Sequence, residues 1–412
     1  MTALAASASA QVAIRADVVH TMAGEPIRDG VVLMRDGKIE AVGPATQVKI
    51  PEGYTLLRAA IATPGLIDAR GTVGVSGLLN QKQDQDQLDR SSPIQPELRA
   101  IDAYNPNDPL VQWVRSFGIT AVHTGHAPGE LISGQTMVVK TSGRTVEAAL
   151  VKDGVTVAAT LSPWAQKSGD RSTGTRGKMV AMLREQLIKA REYREKRESK
   201  AASALKDSPT DTSGDSKPET TKEEPARDLR LEMLGRVIAG EVPLLVSANR
   251  AQDIQNVLRL ADEFGIRVIL DSGAEAYQLI DEIAARKIPV IIHPSMARAY
   301  GELENMSVET PAKLVAAGVR VAMQSGYESY VPKTRVVLFE AGITAAHGLS
   351  FEQALALVTR DAAMILGVQS RLGTLEPGKD ADVALFDGDP FEFTSKCVGV
   401  IINGEVVSST PR

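Results

Sequence analysis

The chain of 412 residues has a net charge of −5, one cysteine and five histidines. This length allows one large domain with an accessory, or two domains, while the single Cys397 excludes a disulfide framework, cysteine zinc knuckles and iron–sulfur clusters. The mild acidity leaves no basic footprint for nucleic acid, no apolar run reaches membrane-spanning length, and 4% aromatic residues argue against a base- or sugar-stacking surface.

Residues 1–10 end in Ala8-Ser9-Ala10, the small-residue pattern of a secretory cleavage site, but lack a basic leader and a long apolar stretch. They read as the remnant of an export signal, which makes the mature protein periplasmic or secreted. A plain Ala/Ser start on a cytoplasmic protein is the alternative. Residues 12–19, 30–35, 38–42 and 55–59 then carry β-branched residues, with Asp36-Gly37 as a hairpin turn. Residues 382–387 and 398–402 have the same texture, with Asn403-Gly404 as a second turn. The expectation is a small composite β-sandwich made from 11–61 and 366–412.

Between these ends, 62–365 alternates strands and helices. Strands are predicted at 63–70, 118–124, 136–141, 155–161, 242–248, 267–273, 289–295 and 320–326. Helices at 251–264, 274–286 and 310–317 place apolar residues at helical spacing. Eight such units predict an α/β fold of the (β/α)8 TIM-barrel type. A doubly wound open sheet is the alternative, weakened by the absence of a Gly-rich fingerprint after the first strand. Residues 177–198 read as a charged helix, followed at 199–228 by a disordered charged insertion with three prolines and no aromatic. A solvated loop is the plain reading of that insertion and a lid over the barrel mouth the functional one.

Three stretches resemble the amidohydrolase superfamily, in particular its imidazolonepropionase-like branch. Ala62-Thr-Pro-Gly-Leu-Ile-Asp-Ala69 is similar to the first barrel strand, Asp361-Ala-Ala-Met-Ile-Leu-Gly367 to the last helix, and Gly373-Thr-Leu-Glu-Pro-Gly-Lys-Asp-Ala-Asp-Val383 to the return into the sandwich. The hairpin Arg35-Asp-Gly-Lys-Ile-Glu-Ala-Val-Gly43 also fits. The resemblance implies a metal-dependent hydrolase of C–N bonds in small or cyclic amides, with zinc as the family cofactor. It also implies ligands: His-x-His after strand one, Lys or Glu at strand four, His at strands five and six, and Asp at strand eight.

This chain departs from that set. Arg70 and Thr72 stand at the His-x-His positions, Ser247 and Asn249 end strand five, Ser272 ends strand six and Gln324 ends strand eight. Arginine donates only and cannot ligate a cation. The expectation is therefore no metal, and a small-ligand-binding member that has lost the family chemistry. The ligand would be a small anion held by Arg70 with Thr72, Gln135, Lys140, Ser247, Asn249 and Ser272. An active hydrolase with a relocated or metal-free site is the alternative, using His123, His126, His293 and Gln324, since three imidazoles suffice for a catalytic zinc. A Ser272–His293 nucleophile pair is a further variant. A scaffold protein contacting partners through the insertion is the third reading, and a homo-oligomer is left open. Asp271 reads as structural or as a cap for a helix starting near Ala274. Asp84, Asp86 and Asp89 read as a solvated loop, lacking the glycine and closing glutamate of a calcium loop.

Overall fold

The computed structural model describes residues 11–412 except 80, 170–171, 207–226 and 328–335, with backbone alone over 200–206. The predicted signal remnant and most of the predicted insertion lie outside the described residues.

The first four strands are β1 (Val12–Val19), β2 (Ile27–Arg35), β3 (Lys38–Pro44) and β4 (Thr55–Pro64). The β2–β3 turn is Asp36-Gly37, with φ of 54° and 75°. Positive φ at both central residues matches the right-handed strand twist.

The chain then builds the barrel from β5 (Leu66–Gly71), β6 (Ile119–Gly125), β7 (Ile132–Lys140), a short β8 (Leu150–Lys152), β9 (Val157–Thr160), β10 (Leu244–Ala248), β11 (Val268–Ser272), β12 (Val290–Ile292) and β13 (Val321–Ala322). The path runs β13-β12-β11-β10-β9-β7-β6-β5, with β8 paired to β7 off the path. Its two ends meet: Ala69 N donates to Met323 O at 3.1 Å and Gly326 N to Arg70 O at 3.0 Å. One strand breaks the parallel rule. β7 runs antiparallel to both β6 and β9. Only 126–131 separate β6 from β7, and a parallel return needs roughly a dozen residues.

Inside the barrel, Ile67, Ala121, Leu245, Ile269, Ile291 and Ala322 form an apolar plug. Side chains alternate along a strand, so the next inward residue lies two positions on. That step leads from Ala121 to His123, Leu245 to Ser247, Ile269 to Asp271, Ile291 to His293 and Ala322 to Gln324. A buried polar layer therefore caps the plug at the strand C-terminal ends.

The helix Ala251–Phe264 buries Ile254, Val257, Leu258 and Ala261, and stops at Gly265 with φ of 64°, a conformation that costs glycine little. The predicted helix 274–286 is instead a 3-10 turn (Ala276–Gln278) followed by a shorter helix (Ile280–Ala285). The charged helix spans Arg176–Lys206, so it continues into the segment predicted to be disordered. Arg176 at its start bonds Asp253 at 2.7 Å. A helix of that length carries the chain about 45 Å from Arg176. The lid reading falls on residues 207–226, which lie outside the described residues.

The last strands, β14 (Val383–Phe386), β15 (Cys397–Ile402) and β16 (Glu405–Ser408), join the first four in one sheet ordered β16-β15-β14-β4-β1-β2-β3. Lys140 ties this sheet to the barrel. Its ammonium lies 2.7 Å from Asp380 and 2.9 Å from Asp382, and also donates to Asn403 Oδ1. Lys140 is level with Ala121 near the start of β6, at the end opposite the mouth. The expectation that it lines the ligand site is therefore corrected. Among the described residues, no helix is long and apolar enough to cross a membrane.

Candidate functional site at the barrel mouth

A cavity of about 540 Å³ opens at the C-terminal ends of the strands, lined by residues from β5, β11 and the loops after β9, β12 and β13. Barrel enzymes place their chemistry at this end. A second cavity of about 570 Å³ lies against His20 and residues 22–26 of the terminal sheet. No C-terminal end of a barrel strand reaches it.

The floor of the mouth is a connected network. Asp271 accepts from Gln324 Nε2 at 2.7 Å on Oδ1 and from the Ser247 hydroxyl on Oδ2. Arg70 Nε stands 4.0 Å from Asp271 Oδ2, both side chains being almost wholly buried. Arg70 Nη2 donates to the backbone carbonyl of His126, while Nη1 is buried with no hydrogen-bond partner. Asp68 stands beneath, accepting from Arg70 N at 3.2 Å and Ser325 N at 3.0 Å. Burial lifts the Asp68 carboxyl to about 6, against the pull of Ser325 and Arg70.

The three candidate histidines are not brought together. His123 lies in the polar layer but not on the cavity. Its Nδ1 meets Ala69 O at 2.6 Å and its Nε2 meets Thr136 Oγ1 at 2.6 Å. A carbonyl only accepts, so Nδ1 carries the proton and Thr136 donates to Nε2. Thr136 in turn lies 2.6 Å from the Thr156 hydroxyl. Neither nitrogen is left for a metal, and burial, followed by Arg70, lowers this ring to about 3. His126 is buried beside the mouth, lowered to about 4 by burial and then Arg70. Only His293 lines the cavity. Its Nδ1 donates to Pro294 O at 3.0 Å, which leaves Nε2 as a buried acceptor without a partner. Burial also holds this ring below its ordinary value. Among the described residues, no three His, Cys, Asp or Glu side chains form a group that could hold a metal ion.

Of the other predicted residues, Arg70, Thr72, Ser272 and Gln324 line the cavity. Ser272 does so with φ of 77°, a conformation uncommon for a side-chain-bearing residue. Ser247 sits one layer back, against Asp271. Asn249 accepts from Ala274 N at 3.4 Å and Gln135 donates to Pro96 O at 3.0 Å; both brace loops away from the cavity. Asp271 is not a helix cap but the hub of the floor. Its inward position follows from the period-2 step past Ile269. Trp164 and Tyr300, which also line the cavity, come from loops and carried no sequence signal.

The amidohydrolase family model matches residues 110–408. The chain is 26% identical to amidohydrolase tasK of Hapsidospora irregularis over 399 residues, 93% of this chain and 40% of that protein. It is 27% identical to an imidazolonepropionase of Rhizorhabdus wittichii over 135 residues, 31% of this chain and 34% of that protein. The chain thus spans about two fifths or less of the length of these curated relatives. Among solved structures, an amidohydrolase from Thermotoga maritima superimposes with a TM-score of 0.85 and 26% identity, over 97% of this chain and 100% of that one. A prolidase bound to N-methylphosphonate-L-proline shares the fold at 16% identity and a TM-score of 0.58, over 97% and 100% of the two chains.

Proposed function

The chain belongs to the amidohydrolase family, and from that premise we propose that its barrel mouth binds a small anionic molecule through an arginine network in place of the family's metal centre. The observation that carries this reading is the buried Arg70 guanidinium 4.0 Å from Asp271. A divalent ion beside a guanidinium meets a permanent like charge and a group with no lone pair to offer. The carboxylate best placed to ligate, Asp271, is already engaged by Gln324 and Ser247. The donor set of the mouth does not fit a catalytic zinc.

Arg70 is suited to another task. One nitrogen of this cavity-lining residue is buried and unsatisfied, which is costly unless an acceptor arrives. An anion at that point supplies a charge-assisted hydrogen bond. A thermal-shift screen with small carboxylates and phosphates tests the reading. A saturable rise in melting temperature with wild type, lost with Arg70→Ala, supports it. No rise, or an equal rise with both proteins, rejects it.

A further inference from the structure

The cavity is polar at its floor, and its rim carries two large rings beside the charged Arg90, Arg298 and Glu302. Trp164 is 44% exposed and Tyr300 72% exposed, and both line it. These rings are held by local structure. Trp164 N donates to Ser162 Oγ at 3.2 Å in the turn Pro163–Ala165. Tyr300 leads into Gly301–Leu303, where Arg250 bonds Gly301 O at 3.1 Å and Glu304 at 2.7 Å. Large rings left open at a cavity rim provide apolar area and few rotamers to freeze on binding.

Three residues that line the cavity have a buried side-chain atom without a partner: Arg70 Nη1, His293 Nε2 and Glu302 Oε2, the last on a carboxylate whose other oxygen stands 3.4 Å from Arg250. Arg70 Nη1 can only donate and His293 Nε2, its partner nitrogen being committed to Pro294 O, can only accept. Buried polar atoms without partners are uncommon in folded proteins. The Arg70 and His293 atoms have opposite character, and both residues line one cavity. A ligand that satisfies both presents an acceptor to Arg70 and an O–H or N–H donor to His293.

We propose that the mouth selects a carboxylate that bears a hydroxyl or N–H group beside the carboxylate and an aromatic group that lies against Trp164 and Tyr300. The carboxylate meets Arg70, the neighbouring donor meets His293, and the ring lies against Trp164 and Tyr300. This inference rests on the anion-binding reading above and adds the ring and the donor to it.

Titration calorimetry on the full chain tests each part with one probe series. The full probe is 3-phenyllactate, with each enantiomer measured. Lactate removes the ring, 3-phenylpropionate removes the hydroxyl, and 3-phenyllactamide removes the charge. We expect one phenyllactate enantiomer to bind, and each truncated probe to bind at least about tenfold more weakly. Trp164→Ala, a change at a half-exposed side chain, reduces the preference for phenyllactate over lactate. Arg70→Ala abolishes the preference for phenyllactate over phenyllactamide. No phenyllactate binding up to concentrations on the order of 10 mM overturns the inference. So does lactate binding within about twofold of phenyllactate. If small carboxylates bind in an Arg70-dependent way with no ring preference, the inference falls and the anion-binding reading stands.

Discussion

Arg70 and Asp271 face each other across the barrel mouth at 4.0 Å, with 3% and 2% of their side chains exposed. Breaking such a pair leaves a buried charge uncompensated, at a cost of about 3–5 kcal/mol. Arg70→Ala should lose stability on that scale by denaturant unfolding. Arg70→Met combined with Asp271→Asn should recover much of it, because the orphan charge is gone. Equal stability of the single and double variants would show that the pair is not coupled.

Asp68 should make stability fall as pH rises through the mildly acidic range. Its carboxyl is lifted from an ordinary 3.8 to about 6 by burial. Between about pH 4 and 6 the folded state holds a proton that the unfolded chain has released, so each step up in pH favours unfolding. The shift corresponds to roughly 3 kcal/mol. Asp68→Asn removes this component. Melting curves of the two proteins at pH 4 to 7 should diverge in favour of the variant at the upper end, and parallel curves would contradict the assignment.

His123 acts in the opposite direction. Its folded value of about 3 lies below the ordinary 6.5. The unfolded chain takes up a proton first as pH falls, so stability contributed by the neutral ring is complete above about 6.5 and is lost on acidification towards 3. Nitrogen NMR should show a neutral ring, protonated on Nδ1, at pH 5. A cationic His123 at that pH would mean that the Ala69–His123–Thr136 chain of hydrogen bonds is not formed.

Lys140 should matter for stability and not for the ligand. Burial pushes the carboxyls of Asp380 and Asp382 up. For Asp380 the surrounding Lys140, Lys38 and Arg371 overcome that and hold it well below the carboxylate range. Lys140→Met leaves the buried Asp382 without its cation, a loss of about 3–5 kcal/mol. Anion binding at the mouth should be unchanged. A selective loss of binding by a variant of near wild-type stability would return Lys140 to the site.

The architecture was legible because strands and amphipathic helices leave periodic marks: the Ile254, Val257, Leu258, Ala261 stripe and the turns Asp36-Gly37 and Asn403-Gly404 all appear where predicted. The direction of β7 was missed because its start was placed at Thr136. Extending it back to Ile132 leaves a connection too short for a parallel return. The floor of the site was half legible. Arg70, Thr72, Ser272, His293 and Gln324 sit at predicted strand ends, and all line the cavity. Of the two readings of Asp271, structural or cap, the cap fails because the turn after it is not the start of a long helix, and counting by twos from Ile269 places the residue inward. Lys140 was misplaced for the same reason as β7, since an antiparallel strand ends at the far side of the barrel. Trp164 and Tyr300 belong to loops without periodicity, and only the folded chain brings them to the cavity.

Metal analysis of the protein, purified without chelators and then equilibrated with zinc, bears most directly on the replacement of the metal centre. Zinc should stay well below stoichiometric, chelator should leave the melting temperature unchanged, and small and cyclic amides should not be hydrolysed. About one or two tightly held zinc ions per chain, with hydrolysis of an amide that chelator abolishes, would contradict that replacement.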